Sequence, residues 1–387
     1  MKIDLPRADG TLAAYELASP TVWPRPDKPA RSRIAYAAAH VVADPLGDPG
    51  GSAPPIDWEA TLRLRKHLWA YGMRVAEAMD TAQRNAGLDW PAALELARRT
   101  ADAARDYGNP AALVAVGVGT DHARGAADLP SITAAYLEQL AAVRDTGASA
   151  VLMASRELAA VAAGPDDYLT VYGAVLEQAD RAVILHWLGE MFDPKLAGYW
   201  GSRDLGVAAE TVLRLIGEHP DKVDGIKVSL LDAERETALR SALPPGVRLY
   251  TGDDFNYPAL IASGSHALLG IFDGIAPAAA AALHALDERD MVRYEKILAP
   301  TVVLARKVFE PPTFHYKTGL AFLAWLAGHQ DAFVMIGGGQ SARSLPHLAE
   351  VFRLADQAGL LPAPDLAARR MTALLTQYGI AQTRTTR

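Results

Sequence analysis

The chain has 387 residues, 50% of them hydrophobic, enough to bury a large core in more than one folding unit. A formal net charge of −7 gives no attraction to nucleic acid or to an anionic membrane, and the lack of cysteine excludes disulfides, thiolate metal sites and a cysteine nucleophile together. The N-terminus has no signal-like apolar core and no later stretch reaches ~18 uninterrupted apolar residues, so a soluble, cytoplasmic protein acting on a small molecule is expected, without nucleic-acid or membrane partners.

Residues 1–30 are polar and proline-rich and read as an extended arm. A rhythm then begins, in which short apolar runs alternate with longer segments of helical period. RIAYAAAHVVA (33–43) precedes WEATLRLRKHLWAYG, and MRVAEAM (73–79) precedes WPAALELARRTADAARDYG. ALVAVGVG (112–119), SAVLMAS (149–155), RAVILHW (181–187), VDGIKVS (223–229), VRLYTGDD (247–254) and ALLGIFDG (267–274) continue the series, each with its own amphipathic segment. Runs apolar on both faces and followed by helices indicate a parallel sheet. Eight such units fit an α/β fold of the closed (β/α)₈ barrel type over 31–287. No Gly-x-Gly-x-x-Gly follows the first run, so a dinucleotide-binding sheet lacks its fingerprint. Over 288–387 the pattern is helical throughout, with a frayed end expected at 380–387.

Barrels of this type carry their chemistry at the C-terminal ends of the strands. The polar residues there are His40, Glu77, Asp80, Thr81, Thr120, Asp121, His122, Ser155, Arg156, Glu157, His186, Lys227, Ser229, Asp253 and Asp254. Lys227 stands out, because a barrel interior desolvates an ammonium and lowers its pKa toward what a Schiff-base nucleophile requires. A lysine paired with Asp253, or reaching for the rim, is the structural alternative. His186 on the neighbouring strand offers a general acid/base near operating pH, or else a hydrogen-bonded core histidine. Arg156 offers a bidentate grip on an anionic group, against a surface ion pair. Asp80 offers a partner for a sugar hydroxyl, against a helix cap. A second reading takes His40, His122 and His186 with Glu77 and Asp80 as ligands of a divalent metal. IGGGQSARS (336–344) reads as a linker with an N-cap at Ser341, and LGEMFDPKLAGYWGSRD (188–204) as a lid, a substrate wall or a subunit contact.

The order GIKVSLLD, LYTGDD, ALLGIFDGIAP resembles the dihydrodipicolinate synthase / N-acetylneuraminate lyase superfamily, as do VAVGVGTDHA, RAVILHWLG and FEPPTFHYKTGLAFLAWLAG, over about 33–330. The resemblance implies an oligomeric class I aldolase in which Lys227 forms an imine with a 2-oxo acid or a related carbonyl compound such as a keto sugar. Where that family carries Gly-Thr-Thr-Gly-Glu, this chain reads MDTAQ (79–83) and keeps only Thr81. Where it carries tyrosines after the fourth strand and on the fifth, Ser155 or Arg156 and His186 stand instead. The resulting expectation is a Schiff-base lyase without cofactor. Lys227, His186 and Ser155 are its catalytic groups, and Thr81, Asp80, Arg156, Asp253 and Asp254 its substrate-binding groups. A metal-dependent lyase or isomerase and a non-catalytic binding protein are the alternatives.

Overall fold

A computed structural model describes residues 2–48, 51 and 53–380. The tail 381–387, expected to fray, lies outside the described residues. The chain opens with a hairpin, β1 (Lys2–Pro6) antiparallel to β2 (Leu12–Glu16), rather than the extended arm expected. The reason is period-two burial: Ile3 and Leu5 turn inward between Lys2 and Asp4, and Gly10 at φ 83° closes the turn. The hairpin lies against the C-terminal helix Leu345–Gln357, where Tyr15 Oη and the Ala18 N–H both donate to Asp356 at 2.7 and 3.0 Å.

Eight parallel strands then close a barrel: β3 (Ala35–Ala38), β4 (Arg74–Glu77), β5 (Val114–Val118), β6 (Ser149–Leu152), β7 (Val183–Leu188), β8 (Val223–Ser229), β9 (Arg248–Thr251) and β10 (His266–Leu269). They follow one another in chain order around the barrel, and β10 returns to pair with β3. Inward-facing Tyr36, Ala38, Ala76, Ala115, Val151, Ile184, Tyr250 and Leu268 fill the interior. Alanines on β3 to β5 leave room for Tyr36 and Tyr250, whose rings meet edge-on at 5.9 Å. The outward residues of the same strands join a second, larger core with the surrounding helices.

The helices start where the sequence supplies a cap. Asp89 and Asp128 each accept an N–H of the first turn, with Pro91 and Pro130 just inside. One polar tie crosses the strand–helix layer. Glu77 on β4 receives both Arg65 Nε and Nη2 at 2.8 Å from helix Trp58–Ala70, and Thr100 Oγ1 at 2.7 Å. After the last barrel helix, Ile271–Asp287, four helices follow: Met291–Val308, Tyr316–Ala327, Leu345–Gln357 and Pro364–Gln377. The glycine-rich segment is a 3-10 turn over Ile336–Ala342, with Gly337 and Gly338 at φ 64° and 76°. The cap expected at Ser341 is made by Ser344, which accepts from the His347 N–H. Among the described residues no helix is long and apolar enough to cross a membrane.

Candidate active site

At the C-terminal end of the barrel lies a cavity of about 750 Å³. Asp80 and His186 line it from the barrel. Arg156 and Phe192–Leu196 line one side, and Lys317 with Met335–Gly339 come over it from the C-terminal region. The loop 188–204 is therefore a cavity wall, and so is the glycine-rich turn. Gln83 Nε2 holds that turn through the Ile336 carbonyl at 2.8 Å, and Thr318 Oγ1 holds the Gly339 carbonyl at 2.7 Å.

Lys227 is 5% exposed and lies beside His186 across the β7–β8 register; His186, not Lys227, is part of the cavity lining. Gly252 clears its path, since a Cβ there would stand 2.9 Å from Lys227 Cε. Among the described residues no group forms a hydrogen bond or ion pair with Lys227 Nζ, so the expected structural alternative, a pair with Asp253, is absent. Burial pushes the amine below the usual lysine range, against the opposing pull of Asp80 and Asp254.

His186 departs from expectation. Burial, reinforced by Lys227, drives its pKa well below the ordinary value, so the ring is neutral and does not titrate as an acid/base near pH 7. Nε2 stands 3.5 Å from Ser229 Oγ, and Nδ1 is buried without a hydrogen-bond partner. The residue thus adds a neutral ring to the cavity wall, with Nδ1 itself enclosed. Ser155 is likewise reassigned. Its Oγ caps the helix Arg156–Val161 through the Leu158 N–H at 2.9 Å and meets Thr120 Oγ1 at 2.6 Å. With its oxygen engaged on both sides, Ser155 serves as a structural cap. Arg156 does line the cavity, with its Nε in an ion pair with Asp193 at 2.5 Å.

A phenol approaches Asp80 from the C-terminal region. Tyr316, the first residue of helix Tyr316–Ala327, donates to Asp80 Oδ2 at 2.6 Å and meets Thr81 Oγ1 at 2.8 Å. Burial, then Asp80, raises the Tyr316 phenol well above its ordinary value, so the hydroxyl keeps its proton. Burial alone would raise the Asp80 acid, yet Lys317, Lys227 and this hydrogen bond hold it down at about 2. Asp80 is thus an ionised carboxylate in the cavity wall. Thr81, expected to hold substrate, is 1% exposed and fastens Tyr316 instead. Lys317 was also missed. Its ammonium sits 4.6 Å from the Tyr316 ring centroid, and burial lowers its pKa despite Asp80 and Asp193. The segment YKTGLAFLAWLAG showed its helical period and its resemblance to the superfamily, neither of which marks Tyr316 or Lys317. That Tyr316 and Lys317 reach the barrel mouth depends on how the helix folds back.

The two carboxyls of TGDD separate in role. Asp253 accepts the Phe255 and Asn256 N–H groups at 2.9 Å each and Asn256 Nδ2 at 2.8 Å, which makes it a turn cap and not a substrate contact. Asp254 Oδ1 accepts the Ile271 N–H at 2.8 Å, and burial pushes this acid up to about 8. It too lies outside the cavity lining.

The alternative metal set is not brought together. Glu77 is consumed by Arg65 outside the barrel, and His40 bonds Asp273 at 2.5 Å and Gln330 at 2.9 Å. His122 Nδ1 meets Gln139 Nε2 at 2.8 Å, and its Nε2 stands 3.2 Å from a Glu138 carboxylate oxygen. Among the described residues no group of three or more His, Cys, Asp or Glu is placed to hold a metal ion.

Comparison with known proteins fits this architecture. The profile of a family described as a protein of unknown function, DUF993, matches residues 3–380. No curated protein matches the chain. Among solved structures, dihydrodipicolinate synthase from Aquifex aeolicus superposes with a TM-score of 0.65 at 13% identity, over 85% of this chain and 99% of that one. YagE, a prophage protein of the dihydrodipicolinic acid synthase family from E. coli K12 solved with pyruvate, gives 0.67 at 13% over 85% and 99%. N-acetylneuraminate lyase from Aliivibrio salmonicida gives 0.63 at 14% over 85% and 97%. At these identities the likeness is one of fold: the (β/α)₈ barrel with a helical C-terminal portion.

Proposed function

The chain belongs to the DUF993 family of proteins of unknown function, and from its site we propose that it is a lyase or aldolase that works through an imine on Lys227. The observation that carries this reading is a buried lysine with no hydrogen-bonded partner, beside the cavity of a barrel shaped like the aldolases named above. Desolvation supplies the neutral amine that attacks a carbonyl carbon. The protonated imine that follows draws electrons from the adjacent C–C bond and is its own electron sink, so the reading requires neither metal nor organic cofactor.

The remaining groups supply electrostatics and fit. Asp80, ionised and fixed by Tyr316, lies where a cation on Lys227 is stabilised. His186 adds a neutral polar ring to the cavity wall. The cavity of about 750 Å³ exceeds the need of a three-carbon acid, which favours a larger polar carbonyl compound, a keto sugar or its acid. Arg156 and Lys317 on its walls are the groups to hold an anionic or hydroxylated end.

Borohydride reduction in the presence of pyruvate and, in parallel, of longer 2-oxo acids and keto sugars, followed by peptide mass analysis, tests the nucleophile. The expected result is an adduct on the peptide carrying Lys227, lost in Lys227→Ala and in Lys227→Arg. An adduct-free Lys227 under conditions that label other lysines sinks the reading.

A further inference from the structure

Asp254 is a buried acid that the scheme above leaves without a task. It follows Gly252 by two residues on the segment leaving β9, and Gly252 is the position against which the Lys227 chain lies, with 2.9 Å between its Cβ site and Lys227 Cε. Lys227 thus lies against the backbone two residues before Asp254, and the two buried groups act on each other electrostatically. Asp254 is fixed by one oxygen only. Oδ1 accepts the Ile271 N–H at 2.8 Å, whereas Oδ2 takes part in no hydrogen bond among the described residues. Its neighbour Asp253 spends both oxygens on backbone and side-chain donors of its own turn.

We propose that Asp254 is the acid that expels water from the carbinolamine formed on Lys227, an assignment that rests on Lys227 being the nucleophile. In that step the Asp254 carboxyl gives its proton to the carbinolamine hydroxyl and the C–O bond breaks. Water leaves, and the nitrogen lone pair closes the C=N⁺ bond. A neutral acid and a neutral adduct become a carboxylate and an iminium cation, which attract one another where water is scarce. The reverse transfer returns the proton to Asp254 when water re-enters to release product.

Among the described residues the other polar groups do not fill this place: Ser229 Oγ lies by the same Gly252 site, but an alkyl hydroxyl is too weak an acid to expel water. The Ser155 hydroxyl is tied to the Leu158 N–H and Thr120, and the Tyr316 hydroxyl is committed to Asp80. His186 is neutral and Asp80 is ionised. The charged and titratable groups acting on Asp254 are Lys227 from β8, Asp80 from the turn after β4, Asp253, Tyr257 and Tyr316. Burial raises the acid to about 8 against the pull of Lys227 and the Ile271 N–H, so it holds its proton at neutral pH and loses it as pH rises further.

The test follows the rate of cyanoborohydride-trapped adduct at Lys227 with pyruvate, by peptide mass, across neutral and alkaline pH. For wild type the rate is expected to fall above a pH of about 8. Asp254→Asn, which keeps an oxygen for the Ile271 N–H, is expected to trap ~100-fold more slowly and without that alkaline limb. Asp254→Glu is expected to recover part of the rate and a limb at a shifted pH. Wild-type rate and profile in Asp254→Asn overturn the assignment and leave Lys227 standing. A wild-type rate with no fall above about 8 overturns it even where Asp254→Asn does not fold. A wild-type Lys227 that takes no adduct removes the nucleophile, and its acid with it.

Discussion

An amine, two carboxyls and an imidazole share the end of the barrel, and their surroundings set a different protonation state for each. Burial neutralises His186 and raises Asp254, whereas Asp80 stays charged because Lys317, Lys227 and Tyr316 compensate its burial. Desolvation of Lys227 outweighs the pull of Asp80 and Asp254, which leaves the amine's pKa lowered. Tyr316 is a positioning residue here, since it touches Asp80 and not the cavity. Removing its hydroxyl in Tyr316→Phe deprives an ionised acceptor of one hydrogen bond, worth ~1.5–3 kcal/mol. Adduct formation at Lys227 is expected to slow by ~10–100-fold with the fold intact. Site-resolved trapping checks the rate and circular dichroism the fold; an unchanged rate would show that Asp80 needs no such anchor.

At the level of elements, the alternation of apolar runs with helical segments marked all eight barrel strands, because burial on both faces leaves a signature that the surrounding helices do not mask. The N-terminal hairpin was missed because its alternation spans only five residues per strand and prolines follow it. The buried bond between β4 and helix Trp58–Ala70 was also unreadable: Glu77 stood out as a strand-end carboxylate, but nothing local told whether it faced inward or outward. It faces the helix layer, where it is 0% exposed against Arg65. Glu77→Ala strands a buried guanidinium, and a loss of ~3–5 kcal/mol is expected. Urea unfolding reads this as a lower midpoint at unchanged slope. A loss below ~1 kcal/mol would mean that water or another acceptor takes over.

Over the whole molecule, the C-terminal region does two things at once. Its first part, around Tyr316 to Gly339, walls the cavity, and a later helix holds the N-terminal hairpin through Asp356 and through Arg353, whose Nη2 donates to the Pro6 carbonyl at 2.8 Å. Asp356→Ala removes the acceptor of Tyr15 and Ala18, at a cost of about 2 kcal/mol to docking. Amide exchange over residues 2–18 is expected to quicken while the barrel amides stay protected. Equal loosening of both would show that hairpin and barrel unfold as one unit.

The sequence by itself determined the barrel, the place of Lys227 on its sixth strand and the absence of cysteine chemistry. These follow from periodicity and residue type, which are local properties. Tertiary structure alone decided that Ser155 and Asp253 are caps, that His186 is neutral, that Asp80 is charged and that Tyr316 and Lys317 belong to the site. Each of these depends on which distant groups surround a side chain and on how much water they displace. The Tyr316–Asp80 bond joins residues 236 positions apart, a separation that no local pattern in the chain encodes.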